Sequence, residues 1–392
     1  MAKATAKVPF LFHVVVDGPW GTTRAAESLV RGHLHAGRMA AMLVLRRSRS
    51  TTDSRLDLLT HEGLPARLLP YKPNLWMMWR LRQLCRDQRP DVLFAHGYSL
   101  HLWARFAALA AGVPRIVHVE HNWENYPVHR LWQNRWLARR TDRVVCVAQG
   151  IAGHLRSLGL PPDKLAVIPN GLDLSPFSAA GRPAAARGQD LIMPARFSPQ
   201  KDHATLLRAL ARLAREGCRP TLALAGDGNP RRQAAHAAAA ESLGIARQVA
   251  FLGLRQDVPE LLMQTKIMVL SSHYEGMPLA VLEGMAAGCA VVASNIPGVR
   301  EVVDHDRTGL LFPPGDEAAL AAALKSLLHR PDRVQRLGAA AAHQIAQHHS
   351  LTAMVGRYET LAGQLLNHDP RHSLHPLRRP VRAGRPPLTC PR

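Results

Sequence analysis

Two glutamates, Glu275 and Glu283, stand eight residues apart in SHYEGMPLAVLEGMAAGCAVVAS, residues 272–294. The apolar runs IMVL and AVVA flank them, and such short runs are typical of buried parallel strands. Between the runs, Pro278 suits the first turn of a helix and Gly288 suits the C-terminus of that helix. Free N–H groups at a helix N-terminus bind phosphate, whereas carboxylates accept hydrogen bonds from hydroxyl groups. The segment therefore predicts a ligand with phosphates in the middle and a sugar at each end.

A second pair of side chains, Arg196 and Lys201, lies in ARFSPQKD directly after a predicted strand. Arginine binds phosphate through two parallel hydrogen bonds, and lysine adds a point charge. An exposed loop with surface ion pairs is the alternative interpretation. Because the helix that begins near Pro278 falls in the same half of the chain, we expect Arg196 and Lys201 to bind a diphosphate.

Alternating strands and helices must position these groups. In the first half of the chain, strands are predicted at 10–16, 40–45, 90–97, 115–121 and 142–148. The alternation restarts after a segment rich in Pro, Ala and Gly, which predicts a linker. Repeated strand–helix units predict an α/β fold of doubly wound parallel sheets, with ligands at the C-terminal ends of the strands.

The predicted organisation has five parts. They are a Rossmann-like domain at 8–175, a linker at 176–189, a second Rossmann-like domain at 190–349, a helix at 350–366 that packs back towards the first domain, and a disordered basic tail at 367–392. A chain of 392 residues exceeds one typical domain, and its hydrophobic fraction of 47% is sufficient for more than one core.

The cysteines and the hydropathy pattern indicate the compartment. The five cysteines are scattered, without a CxxC pair or a metal-ligand spacing, which favours reduced thiols in the cytoplasm. The longest apolar runs are too short to span a membrane as a helix. We therefore expect a cytoplasmic protein, soluble or peripheral on the inner face of the plasma membrane.

Positive charge and tryptophan are both concentrated in the first half. The net charge is +21, and all seven tryptophans lie before residue 137. In HRLWQNRWLARR, Trp132 and Trp136 share a helical face with Arg135 and Arg139 beside them. Basic helices with aromatic residues suit an anionic membrane surface. A core helix with a solvated basic side is the alternative, and nucleic-acid binding is not predicted because no nucleic-acid motif occurs.

The chain resembles the retaining glycosyltransferases of family four, which have the GT-B fold of two Rossmann-like domains around a cleft. The resemblance covers nearly all of 8–366. It rests mainly on VIPNGLDLSPF, ARFSPQKD, LALAGDG, FLG at 251–253, EGMPLAVLE, SNIPGVREVV and GLLF.

The resemblance implies a role for each matching residue. Arg196 and Lys201 would bind the donor diphosphate, Glu283 the ribose hydroxyls, and Glu275 the hydroxyls of the transferred sugar. His121 of VHVEHNW would contact the donor sugar near the reacting carbon. The remaining donor-binding positions are Gly21 in a glycine-containing loop, Gly253, and the loop residues Gly276, Met277, Pro278 and Leu279, with the N–H groups of Met277 and Leu279 on sugar or phosphate.

The implied reaction is transfer of a hexose from a nucleotide-diphosphate sugar with retention of configuration. We expect no metal and no cofactor, because a DxD motif is missing from a suitable loop and Arg196, Lys201 and the helix N-terminus supply positive charge. UDP is favoured over GDP, and the expected acceptor is a saccharide or lipid-linked saccharide of the cell envelope. The alternatives are a nucleotide-sugar epimerase of the same fold, which would need no acceptor, and a non-catalytic nucleotide-sugar-binding protein.

Overall fold

The computed structural model describes residues 8–18, 21–48, 51–52, 54–98, 100–177 and 186–367. The first part of this chain forms a seven-stranded parallel sheet in the order β3-β2-β1-β4-β5-β6-β7. Its strands are β1 Phe10–Val16, β2 Ala40–Arg46, β3 Ala66–Leu69, β4 Val92–His96, β5 Arg115–Glu120, β6 Arg143–Cys146 and β7 Leu165–Val167. Its helices are α1 Gly21–Ala36, α2 Ser54–His61, α3 Asn74–Gln88, α4 His101–Ala111, α5 Val128–Ala138 and α6 Gln149–Ser157.

The second part forms a six-stranded parallel sheet in the order β10-β9-β8-β11-β12-β13. Its strands are β8 Gln189–Pro194, β9 Leu222–Ala225, β10 Val249–Gly253, β11 Thr265–Leu270, β12 Ala290–Ser294 and β13 Gly309–Phe312. Its helices are α7 His203–Arg215, α8 Pro230–Ser242, α9 Val258–Met263, α10 Leu279–Ala286, α11 Pro297–Arg300, α12 Glu317–Leu328 and α13 Pro331–His348, and the last described helix is α14 Leu351–Asn367.

Both sheets are buried on two faces, which explains their continuous apolar runs. Successive side chains of a strand point to opposite faces. In β1, Leu11 and Val15 join one core cluster, whereas Phe12 and Val14 join the cluster on the other side. The chain order of the strands reverses around β1 and β4, so the loops after these strands open at the C-terminal edge where ligands bind in such sheets.

Helix α14 packs against α1 on the first sheet. Its residues Met354, Val355 and Tyr358 belong to the same core cluster as Leu11 and Leu29. The chain crosses between the sheets twice, and the two crossings touch: Leu172 pairs with Ser350, and a Cβ on Gly171 would lie 2.8 Å from Met354 Cβ. Helix α14 therefore ties the second part of the chain to the first.

The predicted fold class is confirmed: the chain forms two Rossmann-like parallel-sheet domains. Some details differ from the sequence interpretation. Elements such as α2 and β3 were not predicted, and Pro278 takes the position before the first residue of α10. Short elements of four to eight residues carry little periodicity, which is why the first half was read incompletely.

Parts of two predictions fall on segments outside the described residues. These are 178–185 of the linker and 368–392 of the tail. The domain boundaries at 175, 189 and 349 stay predictions. Within the described residues, no helix has the length and apolar character needed to cross a membrane.

Candidate active site

A cleft of about 860 Å³ lies between the C-terminal edges of the two sheets. The second domain contributes the loop after β8 and the segment from Glu275 to Glu283, and the first domain contributes the start of α1 and the residues after β4 and β5. The cleft therefore lies at the position where doubly wound sheets bind ligands. Its lining includes Gly21, His121, Arg196, Lys201, Glu275, Gly276, Met277, Pro278, Leu279 and Glu283.

Lys201 and Glu275 form an ion pair on the second-domain wall. Ser272 Oγ donates a second hydrogen bond to the same carboxylate at 2.7 Å. The loop that carries Lys201 is fixed to the loop of Glu275, because the Gln200 amide donates to the Tyr274 carbonyl at 2.7 Å. Both side chains are largely buried, so each depends on the other to compensate its charge.

Glu283 lies on α10 and is 2% exposed. Its carboxylate pairs with the guanidinium of Arg24, which projects from α1 of the other domain. The sequence interpretation missed Arg24. Arg24 could have been found from its position, because it lies three residues after Gly21 at the start of the helix that follows the first strand. Arg24 therefore adds a positive charge at the end of the cleft where Glu283 stands.

The segment from Gly276 to Leu279 crosses close to the first domain. A Cβ on Gly276 would lie 2.8 Å from the carbonyl carbon of His121 and 2.9 Å from Ile151 Cδ1. Asn170 donates a hydrogen bond to the Met277 carbonyl at 3.1 Å. The N–H groups that open a helix such as α10 have no acceptor within the helix, and the first residues of α10, Leu279 and Ala280, line the cleft together with His121.

His121 directly follows β5 and closes a row of three imidazoles. His96 Nδ1 lies 2.9 Å from His121 Nε2, and His96 Nε2 lies 3.0 Å from His13 Nδ1. Burial lowers the pKa of His121 to about 4 and the pKa values of His96 and His13 well below their usual value. All three rings are therefore neutral near pH 7.

A second buried network supports the strand that carries His121. The carboxyl of Glu120 accepts a hydrogen bond from the Tyr126 hydroxyl, and burial raises its pKa to about 8. Arg105, which is fully buried, donates to Asn134 Oδ1 at 2.6 Å and lies 2.7 Å from His101 Nδ1. Arg105 and Asn134 are 29 positions apart, and no sequence motif marked the shorter-range contacts either.

Gly21 and Gly253 have different places relative to the cleft. Gly21 opens α1 at the cleft, where a Cβ would lie 3.7 Å from Leu279 Cδ1. Gly253 ends β10 with φ +67 and accepts a hydrogen bond from the Gly226 N–H at 2.8 Å. It lies outside the set of residues that line the cleft, whereas the next residues, Leu254 and Arg255, line it.

The residues predicted to contact a membrane lie on α5 or, for Arg139, directly after it, and none of them lines the cleft. Trp132 is 68% exposed. Trp136 is only partly exposed, because its ring packs on Phe106 and under the Arg140 guanidinium, 3.8 Å from the ring centroid. Arg135 and Arg139 are exposed, and Arg135 Nε donates to the Leu158 carbonyl at 2.7 Å. Of the two tryptophans on this helical face, Trp132 is thus accessible to a membrane surface and Trp136 is largely covered.

Two family models match the chain: "Glycosyltransferase Family 4" over residues 21–176 and "Glycosyl transferases group 1" over residues 182–344. A D-inositol 3-phosphate glycosyltransferase of Streptomyces scabiei is 30% identical over 318 residues, covering 72% of this chain and 70% of that protein. A UDP-Gal:alpha-D-GlcNAc-diphosphoundecaprenol alpha-1,3-galactosyltransferase of Escherichia coli is 27% identical over 255 residues, 60% of this chain and 66% of that protein. The match thus spans about two thirds of the length of such relatives.

The fold comparison agrees with the family models. The Anabaena protein Alr3699/HepE, in a crystal structure with UDP and glucose, superposes with a TM-score of 0.77 at 20% identity, over 90% of this chain and 99% of that chain. A sucrose-phosphate synthase of Thermosynechococcus elongatus gives a TM-score of 0.76 at 18% identity, over 93% and 100%. The chain belongs to the group 1, family-four glycosyltransferases, with the GT-B fold.

Proposed function

We propose that the protein transfers a sugar from a UDP-sugar to a saccharide or lipid-linked saccharide acceptor, with retention of configuration. The observation that carries the proposal is the contact between Gly276 and His121. It places the N-terminus of α10, the Lys201–Glu275 pair and His121 around one space. The UDP complex of the Anabaena relative and the UDP-Gal donor in the name of the Escherichia coli relative support UDP as the nucleotide.

In this proposal the Lys201–Glu275 ion pair opens to the donor. Lys201 and Arg196 take the diphosphate, and the Glu275 carboxylate then accepts hydrogen bonds from hydroxyls of the transferred sugar. Glu283, paired with Arg24, accepts from the ribose hydroxyls. Cationic side chains and a helix N-terminus beside a leaving diphosphate stabilise the negative charge that develops on it. This arrangement needs no metal or cofactor.

The proposed bond changes occur on one face of the sugar. The bond between the anomeric carbon and the diphosphate oxygen breaks, and the acceptor hydroxyl oxygen bonds to the same face of that carbon. The hydroxyl proton passes to the departing phosphate oxygen. Glu275 takes no part as a nucleophile, because its carboxylate accepts hydrogen bonds from Ser272 and from the hydroxyls of the transferred sugar. A glycosyl ester trapped on Glu275 would overturn this mechanism.

The donor site is tested by thermal unfolding with UDP, GDP or ADP, each with and without EDTA. A ligand that binds only the folded state raises the apparent Tm. We expect stabilisation by UDP that EDTA leaves unchanged and that Glu283→Ala abolishes. Glu241→Ala, an exposed position on α8, is the matched control and should respond as the wild type does. If no nucleotide stabilises the wild type, the proposed function is wrong.

The same proposal places the acceptor at an anionic membrane surface on the cytoplasmic side. Three exposed tryptophans stand on α3 and α5, which both pack against α4: Trp76 is 48% exposed, Trp79 is 39% exposed and Trp132 is 68% exposed. Exposed arginines on these two helices or directly after them are Arg80, Arg86, Arg135 and Arg139. A surface that combines indole rings with arginines matches the chemistry of an anionic lipid interface.

Vesicle sedimentation tests this surface. The protein should bind vesicles that contain phosphatidylglycerol at low salt, release them as salt rises, and bind neutral phosphatidylcholine vesicles weakly. Trp76→Ala/Trp132→Ala should reduce binding, whereas Leu243→Ala, an exposed apolar position in the other domain, should not. Failure of the wild type to bind anionic vesicles at low salt would remove the membrane from the proposal and leave the donor site intact.

A further inference from the structure

A row of hydrogen-bonded imidazoles runs from the cleft into the core of the first domain. His121, His96 and His13 belong to β5, β4 and β1 or to the residue that follows, and these strands are neighbours in the sheet. His13 is 0% exposed and His96 is 1% exposed, and the His13 ring stacks on Phe94 at 4.7 Å between centroids. The rings therefore have fixed positions, and the hydrogen-bond partner of each ring nitrogen can be read from the structure.

Each contact in the row joins two ring nitrogens, so each needs one N–H donor and one bare acceptor. In a neutral imidazole one nitrogen carries the proton and the other does not. The state of one ring therefore fixes the state of the next. Only two arrangements exist: all protons lie on Nδ1, or all lie on Nε2.

The inner end of the row distinguishes the two arrangements. His13 Nε2 is buried and has no hydrogen-bond partner in the described residues. The neighbouring ring of His33 lies 5.4 Å from the His13 ring between centroids, but its Nδ1 contacts the Glu359 carboxylate at 3.2 Å. A buried N–H group without an acceptor is strongly disfavoured, and an unused acceptor is tolerated more readily. The protons are thus expected on the Nδ1 atoms of His13 and His96.

The outer end of the row is His121. Its Nε2 accepts the hydrogen bond from His96 Nδ1, which leaves the proton on its own Nδ1. Within the described part of the chain, Nδ1 of His121 has no protein partner, and the residue lines the cleft. The ring nitrogen available to a ligand is thus an N–H group.

We propose that His96 and His13 are positioning residues that fix the tautomer of His121, so that His121 presents an Nδ1–H donor to a hydroxyl oxygen of the bound sugar. This inference rests on the proposed function for the identity of the ligand, but not for the tautomer. A neutral donor serves this place well. It orients the sugar through a hydrogen bond and adds no full positive charge beside a carbon on which positive charge develops during transfer.

The tautomer is measured directly on the wild-type protein. Long-range ¹H–¹⁵N correlation spectra of protein labelled with ¹⁵N-histidine distinguish a protonated from a bare ring nitrogen, and His121→Asn assigns the His121 signals. We expect a proton on Nδ1 and a bare Nε2 in His121. A proton on Nε2 of His121 would overturn the proposal. This readout does not require turnover, so it remains decisive if UDP fails to bind.

Two nearly isosteric variants test the consequence for catalysis. In His96→Asn the side-chain amide donates to His121 Nε2 in place of His96 Nδ1. In His96→Asp, assayed at a pH high enough to ionise a carboxyl at this buried position, the carboxylate only accepts, which draws the proton of His121 to Nε2. We expect His96→Asp to lower kcat by about 10- to 100-fold, as loss of a supporting hydrogen bond does elsewhere. The donor KM should stay within about threefold, because the nucleotide contacts are unchanged.

UDP binding, measured by calorimetry, verifies that both variants fold and keep the donor site. His96→Asn should retain most of the wild-type kcat and the Nδ1–H tautomer of His121. Equal kcat values for His96→Asn and His96→Asp, with both variants binding UDP, would show that the proton position on His121 does not matter and would refute the role assigned to His96. Absence of UDP binding by the wild type would count against the proposed function alone.

Discussion

Replacing Gly276 by alanine should damage the site without changing any charge or hydrogen-bonding side chain. Gly276 lies between the Glu275 carboxylate and the N-terminus of α10, where the second domain touches the first. Its backbone conformation is not restricted to glycine, since it is absent from the positive-φ residues of the described chain. The effect of an added methyl group is therefore purely steric.

The geometry sets the size of the effect. The new Cβ would lie 2.8 Å from the carbonyl carbon of His121 and 2.9 Å from Ile151 Cδ1. Carbon atoms in contact are normally about 3.5–4.0 Å apart, so the two walls must separate by about 1 Å. The backbone of Gly276 also packs against Gly298, where an added Cβ would lie 2.6 Å from the Glu275 carbonyl oxygen. The loop therefore cannot move away from His121 in that direction. A displacement of this size at a reacting centre costs about 10²-fold in rate.

The assay is UDP release from the UDP-sugar that supports turnover, together with the UDP dissociation constant by calorimetry. Gly276→Ala should lower kcat by about 10²-fold while the protein remains folded. Gly153→Ala is the matched control, because a Cβ at this position in α6 would meet nothing within 4 Å. Equal kcat in Gly276→Ala and wild type would refute the inferred contact between the domains at His121.

Two further predictions concern the first domain and its contact with α11. Glu301, which follows α11, accepts hydrogen bonds from the N–H groups of Gln149 and Gly150 at the start of α6. Loss of this cap should lower the free energy of unfolding by about 0.5–2 kcal/mol, so Glu301→Ala should lower the Tm, and an unchanged Tm would contradict this. For Glu120, with a pKa raised to about 8 from 4.5, the unfolded chain releases its proton first as pH rises. As pH rises from 4.5 to about 8, the wild-type protein should therefore lose stability. The Tm of Glu120→Gln minus the Tm of the wild type should increase across this pH range and level off above it. A constant Tm difference would contradict the assignment.

The parts of the site that the sequence predicted are those held in one short segment. Glu275, Pro278 and Glu283 fall within nine residues, and the strands on either side place them at one sheet edge by local pattern alone. Arg196 and Lys201 are likewise joined by one loop. In the structure all five line the cleft, although their contacts with a donor remain predictions.

The parts that escaped prediction depend on pairings across the chain. Arg24 and Glu283 are in contact but are 259 residues apart in sequence, and His96 and His13 are 83 residues apart. The pairing of β1 with β4 in the first sheet brings His13 and His96 together, and the packing of the two domains brings Arg24 to Glu283. Both are fixed by tertiary packing rather than by any local period. Glu120 was adjacent to His121 in the sequence, but its buried Tyr126 and Arg105 neighbours decide its chemistry.

The ion pairs of the cleft have a further consequence for stability. Lys201 and Glu275 have side chains that are 14% and 9% exposed, so removal of either one leaves the other charge poorly compensated. Lys201→Met should therefore lower the free energy of unfolding by about 1–3 kcal/mol, and the Tm should fall with it.

The neutral double variant separates this charge effect from lost packing. In Lys201→Met/Glu275→Gln no charge is left unpaired, and Ser272 still has an amide oxygen to which it can donate in place of the carboxylate. The double variant should therefore regain part of the Tm that Lys201→Met loses, although both changes remove predicted donor contacts and UDP binding should stay weak. If the two substitutions lower the Tm additively, Glu275 does not depend on Lys201, and the donor would then meet a carboxylate already stable in the empty cleft. If stability is regained, UDP-sugar binding must replace an existing ion pair. A ligand that supplies phosphate to Lys201 and hydroxyls to Glu275 at once would then be favoured over free phosphate or free sugar.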